Sequence, residues 1–180
     1  MDLKAPSYLM LGMVRLGARS GYAIKRAADA STRFFWPTSL GQVYPALGRL
    51  EAAGLLERSE DSHGARTRFA YELSPAGEAA LLDWLRATEE EPVQFRDEGL
   101  LRLFFADALS PADQLALVRR LRRRAEAAAS QVDEQVAPYA EGLERSGLRF
   151  PALAARLGAD SYEHAAEWFA RLEAELEGSR

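Results

Sequence analysis

The stretch from Thr38 to Arg49 carries the side chains best suited to recognition chemistry. Glutamine and arginine hydrogen-bond adenine and guanine edges in the major groove of DNA, and the start of a helix, with its free N–H groups and a serine hydroxyl, binds phosphate. The residues expected to face away from the core and to contact DNA are Thr38, Ser39, Gln42, Pro45, Ala46 and Arg49, with Tyr44 flanking them. The competing interpretation is an ordinary surface helix.

Local signals predict the helix that would present these side chains. Ser39 followed three residues later by Gln42 is typical of a capping box at a helix start, and Gly54 is placed to end the helix. The apolar residues Leu40, Val43, Leu47 and Leu50 are expected to form its inner face. Pro45 removes the hydrogen bond to the Gly41 carbonyl, and a glycine there gives the backbone room to adjust.

Two other groups of residues could support the same contact. Lys25 and Arg26 lie on the preceding predicted helix, where a clamp on the DNA backbone would sit. A polar loop between two predicted strands carries His63, Gly64 and Arg66, with Arg68 just after it, and arginine at such a tip suits the minor groove or a phosphate. Ordinary solvated surface charge is the alternative for both groups.

The order of elements in the first half predicts a winged helix-turn-helix domain over residues 1–90. Helical spacing is predicted over Ala5–Leu16 and again after Ser20, followed by the capped helix. Leu55–Ser59 and Arg68–Leu73 are predicted as the strands of a β-hairpin. Ser74 and Pro75 then predict the start of a fourth helix.

Residues 91–180 are predicted to form an all-α domain for dimerisation, with effector binding as a further possible role. Helices are expected over Phe95–Leu109, from Ala112 to about Ser146 with a kink at Pro138, and over roughly Ala152–Glu177. Apolar residues recur in the middle helix in the heptad pattern of a helix–helix seam. The predicted seam consists of Val118, Leu121, Ala125, Ala128, Val132, Val136, Tyr139 and Leu143. A homodimer is the preferred interpretation, and an intrachain bundle is the alternative.

Charge and composition restrict the other classes of function. The formal net charge is −4, yet residues 1–88 carry 11 basic and 9 acidic side chains, whereas residues 89–180 carry 12 and 18, which is compatible with DNA binding by the first half alone. The arginine run from Arg119 to Arg124 flanks the predicted seam, so an inter-helix salt-bridging or solvated role is favoured over DNA contact.

No enzyme or metal-site motif stands out. The sequence contains no cysteine, and its two histidines, His63 and His164, are far apart, so no metal or cofactor is expected. Pairs such as Asp160/His164 and Glu163/Glu167 share a helical face, as such pairs routinely do in helices. Without a targeting segment or an apolar stretch long enough to span a membrane, a cytoplasmic, non-enzymatic protein is expected.

Three stretches resemble the PadR family of transcriptional regulators. Residues 20–24 (SGYAI) look like the start of its second helix, residues 35–51 together with Gly54 and Leu55 are similar to its recognition-helix signature, and residues 71–77 (YELSPAG) resemble the exit from its wing. The sequence departs from the family pattern at Ser20, where the family usually has histidine, at Ala23, where it usually has an acidic residue, and in a wing short of lysine. The helical second half looks like the subfamily with a large C-terminal dimerisation domain.

The resemblance implies a homodimeric repressor that binds a pseudo-palindromic DNA operator and is often released by a small aromatic effector. Candidate effector-binding residues are Trp36, Phe104, Phe105, Trp168 and Phe169, with Tyr139 and Tyr162 as further aromatic candidates. An aromatic residue at helical spacing is more often part of the core. A winged-helix adaptor that binds protein and not DNA is the alternative function.

Overall fold

The computed structural model describes residues 3–61, 68–87 and 96–178. The chain divides into two compact units, residues 1–91 and 92–180. Within the described residues the first unit contains four helices and a two-stranded antiparallel sheet: α1 (Ala5–Arg15), α2 (Gly21–Asp29), α3 (Leu40–Ala52), β1 (Leu56–Asp61), β2 (Arg68–Leu73) and α4 (Pro75–Arg86). This order is that of a winged helix-turn-helix, as the sequence predicted.

Short-range signals set the ends of these helices. The Ser20 hydroxyl accepts the Ala23 N–H at 3.2 Å, and the Ser74 hydroxyl accepts the Gly77 N–H at 3.0 Å, so serine caps begin α2 and α4. Gly54 follows α3 with a φ of 70°, a left-handed conformation that glycine adopts without a Cβ clash.

The core of the first unit lies between α1, α2 and α3. Its fully buried side chains include Met10, Leu11, Ile24, Leu47 and Leu50. In the hairpin Leu56 pairs with Leu73, and Arg58 pairs with Tyr71. The Tyr71 N–H donates to the Arg19 carbonyl at 2.7 Å, so β2 is tied to the turn before α2.

The second unit is helical throughout the residues described. It contains α5 (Glu98–Phe104), a 3₁₀ turn (Ala106–Ala108), α6 (Pro111–Gln131), a π-helical turn (Val132–Val136), α7 (Ala137–Arg145) and α8 (Arg149–Gly178). The helix expected over Phe95–Leu109 is therefore shorter and ends in a 3₁₀ turn, and Phe95 lies outside the described residues. None of the helices in these ranges is both long and apolar enough to cross a bilayer.

The long middle helix is interrupted where its proline lies. Pro138 has no N–H for the Glu134 carbonyl, and its ring crowds that carbonyl. The π-helical turn at Val132–Val136 directly precedes the proline and widens the helix there. The kink expected at Pro138 therefore takes the form of a π-turn between α6 and α7.

The predicted dimer seam packs within one chain. Val118, Leu121, Ala125, Val132 and Val136 are all at most 6% exposed in a single protomer. Val118 and Leu121 form a core cluster with Phe169 of α8, and α6 packs along α8. The remaining seam residues, Ala128, Tyr139 and Leu143, are half-buried. In this protomer the five buried residues already contact helices of the same chain, which is what the intrachain-bundle alternative expects.

The arginine run forms ion pairs within the second unit. Arg119 Nε lies 2.7 Å from Glu173 Oε1, and Arg122 Nη1 lies 2.9 Å from Glu173 Oε2. Arg119 also pairs with Glu177, and Arg124 Nη2 lies 2.5 Å from Asp97 Oδ2. The inter-helix salt-bridging interpretation is therefore confirmed for Arg119, Arg122 and Arg124.

Candidate nucleic-acid interface

The outer surface of α3 presents a continuous set of polar and aromatic side chains. Ser39, Gln42, Tyr44, Pro45 and Arg49 are exposed, and Thr38 just before the helix is half-buried. The opposite face is anchored by Val43, Leu47 and Leu50, each 0% exposed. Burial of this apolar face fixes which side of the helix points outward.

Two residues of α3 differ in burial from the sequence prediction. Ala46 is 1% exposed and belongs to the core, because it follows Val43 by three residues and precedes Leu50 by four. Leu40 is 40% exposed, since it is the first residue of the helix and lies beyond the edge of the core. The candidate surface therefore excludes Ala46 and includes an apolar residue at its N-terminal end.

The Gln42 side chain caps the N-terminal end of α3. Its amide oxygen accepts the Ser39 backbone N–H at 2.9 Å and the Ser39 hydroxyl at 3.2 Å, with the Thr38 hydroxyl at 3.5 Å. The reach of the Gln42 side chain back to the Ser39 N–H is the capping-box contact that the sequence predicted.

Tyr44 lies between α3 and the start of α2. Its ring approaches Gly21, the first residue of α2, so closely that a Cβ on Gly21 would stand 2.5 Å from Tyr44 Cε1. The side chain is nonetheless 53% exposed. One face of the ring is therefore held against α2 while the rest remains open to solvent.

The basic residues proposed to contact DNA differ in their exposure and in whether a carboxylate pairs with them. Arg49 is exposed, and no ion pair joins it to another residue in the described ranges. Lys25 is half-buried and pairs with Asp29 one turn later, which reduces its availability for a phosphate. Arg26 is exposed on α2. Arg49 and Arg26 are therefore better placed than Lys25 to meet an anion.

The remaining predicted DNA contacts belong to the hairpin between β1 and β2. His63, Gly64 and Arg66 lie outside the described residues. Arg68 is the first residue of β2, and in the strand register its Cα lies opposite that of Asp61 in β1. Their proposed DNA contacts remain predictions.

Sequence reasoning missed the close contact that places α4 beneath the hairpin. A Cβ on Gly77 would overlap the Leu55 carbonyl oxygen. The Ser74 hydroxyl donates to the Gly54 carbonyl at 2.6 Å, and the Ser74 N–H donates to the Leu55 carbonyl at 3.2 Å. The Ser-Pro-Ala-Gly motif signalled a helix start, but a short-range pattern does not report which backbone lies against the glycine.

The aromatic effector candidates differ in how far each side chain is buried and in which rings it contacts. Phe169 is 4% exposed in the core of the second unit and is therefore a packing residue, which corrects its assignment to a ligand pocket. Trp168 contacts it edge-on, with ring centroids 5.2 Å apart. Phe104 and Phe105 are exposed on and just after α5 and also meet edge-on. Tyr139 and Tyr162 are half-buried.

Trp36 alone among the named candidates lines an apolar groove of about 380 Å³ in the first unit. The groove is bounded by α1, α4 and the segment after α2, and Tyr8 stacks on Trp84 within it at 4.7 Å between ring centroids. Apolar grooves of this size accommodate small aromatic molecules. Tyr8 and Trp84 were not predicted as groove residues, because they are far apart in the chain and no local pattern joins them.

Each of the two units matches a different family model. Residues 10–83 match the model described as the transcriptional regulator PadR-like family, and residues 95–177 match the model described as virulence activator alpha C-terminal. The transcriptional regulator Rv3488 of Mycobacterium tuberculosis is 44% identical over 79 residues, which cover 38% of this chain and 74% of that protein.

A second relative is the negative transcriptional regulator PadR of Bacillus subtilis. It is 29% identical over 109 residues, and the alignment spans 60% of each chain. Its crystal structure in complex with operator DNA matches 98% of this chain and 99% of its own, with 22% identity and a TM-score of 0.85. Another crystal structure of the same protein contains p-coumaric acid and gives a TM-score of 0.75, with 22% identity over 97% of this chain and 99% of that one. The chain belongs to the PadR-like family of transcriptional regulators.

Proposed function

We propose that this protein is a cytoplasmic, homodimeric DNA-binding repressor, without enzymatic activity, whose α3 enters the major groove. The observation that carries the proposal is the outer face of α3, where polar side chains are exposed and the opposite face is locked into the core. A recognition helix needs both properties, because its side chains must reach base edges from a fixed backbone. The B. subtilis regulator that shares the fold was crystallised with operator DNA.

Each residue named for the DNA contact has a distinct part in this proposal. Arg49, which has no carboxylate partner within the described ranges, hydrogen-bonds a base edge. Thr38 and Ser39 lie beside the N-terminal end of α3, and their hydroxyls would turn from the Gln42 amide oxygen to donate to a phosphate, which the helix dipole also favours. Tyr44 and Pro45 supply contacts to the sugar-phosphate backbone, and Arg26 and Lys25 on α2 add positive charge. The hairpin residues His63, Gly64, Arg66 and Arg68 extend the contact to the neighbouring groove.

A homodimer would place two copies of α3 on one duplex, and we propose that apolar residues of the second unit bring the copies together. Phe104 and Phe150 are each 79% exposed, and Leu157 of α8 is 69% exposed. Exposed apolar side chains of this size favour association, and a two-fold pair is the commonest assembly. This surface replaces the buried residues of α6 as the proposed dimer contact.

We further propose that a small aromatic effector occupies the groove at Trp36. The groove is lined mainly by apolar side chains, including Phe35, Tyr8 and Trp84. The B. subtilis relative was crystallised with p-coumaric acid, a small aromatic acid. Binding within the first unit would couple effector directly to the helices that support α3.

The exposed acid–base pair on α8 has no catalytic role in this proposal. Asp160 and His164 are both exposed on the surface of the helix. Pairs at this spacing are common on solvated helices. The same reasoning covers Glu163 and Glu167.

A gel-shift assay on genomic fragments at low salt tests the DNA-binding proposal. The purified full chain should retard a subset of fragments that contain an inverted repeat, and the complexes should dissociate as salt is raised. Retardation of no fragment at low salt would overturn the proposal and favour a protein-binding adaptor.

A further inference from the structure

The hydrogen bonds around Gln42 identify which end of its side-chain amide faces outward. A backbone N–H can only donate, so the amide atom 2.9 Å from the Ser39 N–H must be the oxygen. The Ser39 and Thr38 hydroxyls lie on the same oxygen, at 3.2 and 3.5 Å. The amide oxygen is therefore engaged by the start of its own helix, and the Nε2 amino group remains for a partner outside the protein.

This arrangement changes what Gln42 can recognise. Paired recognition of adenine by glutamine requires the oxygen to accept from N6 while the nitrogen donates to N7. With the oxygen held by Ser39, that contact would require the cap at the start of α3 to open. Guanine presents two acceptors in the major groove, O6 and N7. One outward hydrogen of Nε2, shared between O6 and N7, fits that edge without any loss of the cap.

We propose that Gln42 reads guanine through its amide nitrogen alone, an inference that rests on the proposed DNA-binding function of α3. Arg49 is also a donor without an acceptor, and it lies seven residues further along the same helical face. Seven residues span about 10 Å of helix, which corresponds to about three base pairs of DNA. Each half-site then contains two guanines about three base pairs apart, one for each residue.

The variant Gln42→Glu tests the direction of this hydrogen bond. Glutamate is a preferred partner in a capping box, so one carboxylate oxygen still accepts the Ser39 N–H, and its charge suits a helix start. The outward amide nitrogen, however, is replaced by a carboxylate oxygen, which can only accept. That oxygen would be repelled by the O6 and N7 acceptors of guanine and would accept from the N4 amino group of cytosine. The variant should keep the melting temperature of the wild-type protein and change base preference at one position.

The experiment selects binding sites for both proteins from a pool of duplexes with a randomised centre. Wild-type sites are then resynthesised with 7-deazaguanine, which lacks the N7 acceptor, at each guanine in turn, and inosine, which keeps O6 and N7, is the control base. We expect a roughly tenfold or greater loss of wild-type affinity at the Gln42 position with 7-deazaguanine, and little loss with inosine. Gln42→Glu should lose guanine preference there and remain sensitive at the Arg49 position.

Three other outcomes would count against the inference in distinguishable ways. Selection of adenine at the position that Gln42→Glu alters would overturn it, because the cap would have opened. Equal sensitivity of both proteins to 7-deazaguanine at every position would also overturn it, while leaving DNA binding intact. If neither protein selects any sequence, the proposed function of α3 fails, and the inference fails with it.

Discussion

The ring of Tyr44 rests against Gly21 at the first residue of α2, with only a Cα hydrogen between ring and backbone. This contact joins α3, the proposed recognition helix, to the N-terminal end of α2. It also explains why two motifs separated by some twenty residues belong together: the Gly-Tyr step at α2 leaves the space that the tyrosine of α3 fills. The Tyr44 hydroxyl is thereby positioned near the positive end of α2, where a DNA phosphate would be stabilised.

Gly21→Ala should weaken DNA binding without unfolding the domain. The added Cβ would lie 2.5 Å from Tyr44 Cε1, so the exposed ring must move away from α2. We expect a loss of about 1–2 kcal/mol in binding free energy, the scale of a displaced polar contact, measured by fluorescence anisotropy.

Gly158→Ala on α8 is the matched control, because a Cβ there meets no atom within 4 Å and Gly158 lies in the second unit, outside the proposed DNA contact. It should leave the fold intact and raise helix stability slightly. Unchanged affinity in Gly21→Ala would mean that the position of the Tyr44 ring does not matter for binding.

Gly77→Ala should destabilise the first unit directly. The new Cβ would collide with the Leu55 carbonyl, which is backbone and cannot rotate away. Overpacking of this kind costs about 1–3 kcal/mol of unfolding free energy, and a lower thermal midpoint by circular dichroism would detect it. Gly12→Ala on α1 adds a methyl group with no atom within 4 Å and serves as the comparison. Equal midpoints for the two variants would contradict the close contact between α4 and the hairpin.

These contacts show where sequence patterns are sufficient and where they are not. The capping residues Ser20, Ser39 and Ser74 act within their own helix turns, so local spacing predicts them. The contacts of Gly21 and Gly77 join distant segments, and a glycine alone does not reveal what approaches it. The position of Ala46 was recoverable from its spacing to Val43 and Leu50, whereas the exposure of Leu40 depends on where the core ends.

The heptad pattern of α6 illustrates a different limit. A repeat of Val118, Ala125 and Val132 predicts that another helix packs there, and α8 does so. The pattern does not encode whether that helix belongs to the same chain, because the packing physics is identical in both cases. In this chain Glu173 of α8 lies between Arg119 and Arg122 of α6 and is only 8% exposed, so its ion pairs join two helices of one protomer.

Substitutions of buried and of exposed apolar residues in the second unit should therefore have different effects. Val132→Asp places a charge at a site 2% exposed, so the second unit should lose helical content and not yield folded monomers. Phe104→Glu acts at a side chain 79% exposed and should preserve helicity while shifting the dimer toward monomer. Circular dichroism and sedimentation velocity separate these outcomes. A folded, monomeric Val132→Asp protein would restore the seam as a dimer contact.

Asp97 should make the second unit sensitive to acid. Burial alone would raise the pKa of this carboxyl, but the Arg124 guanidinium and the N–H groups of Leu100 and Gly99 outweigh burial and lower the pKa below its ordinary value. A lowered folded-state pKa contributes stability that is complete above the unfolded-state pKa and is lost as the pH falls through the folded-state pKa.

Asp97→Asn should accordingly be less stable than wild type at neutral pH, with the difference shrinking as the pH falls below about 4. Asparagine still caps α5, so the change isolates the charge interaction with Arg124. Thermal midpoints measured from pH 7 to pH 3 test this. Asp160→Asn, on the exposed surface of α8, should show no such trend. A constant difference between Asp97→Asn and wild type across this range would rule out the ionised pair as its cause.

The most direct test of DNA recognition by α3 is a salt titration of operator binding by wild type and Arg49→Ala. Wild-type log affinity should fall linearly with log salt concentration, because phosphate contacts release counterions. Arg49→Ala should lose about 1–3 kcal/mol on the selected site and much less on a scrambled duplex. Equal loss on both duplexes, or operator affinity unchanged by Arg49→Ala, would contradict base reading by this helix.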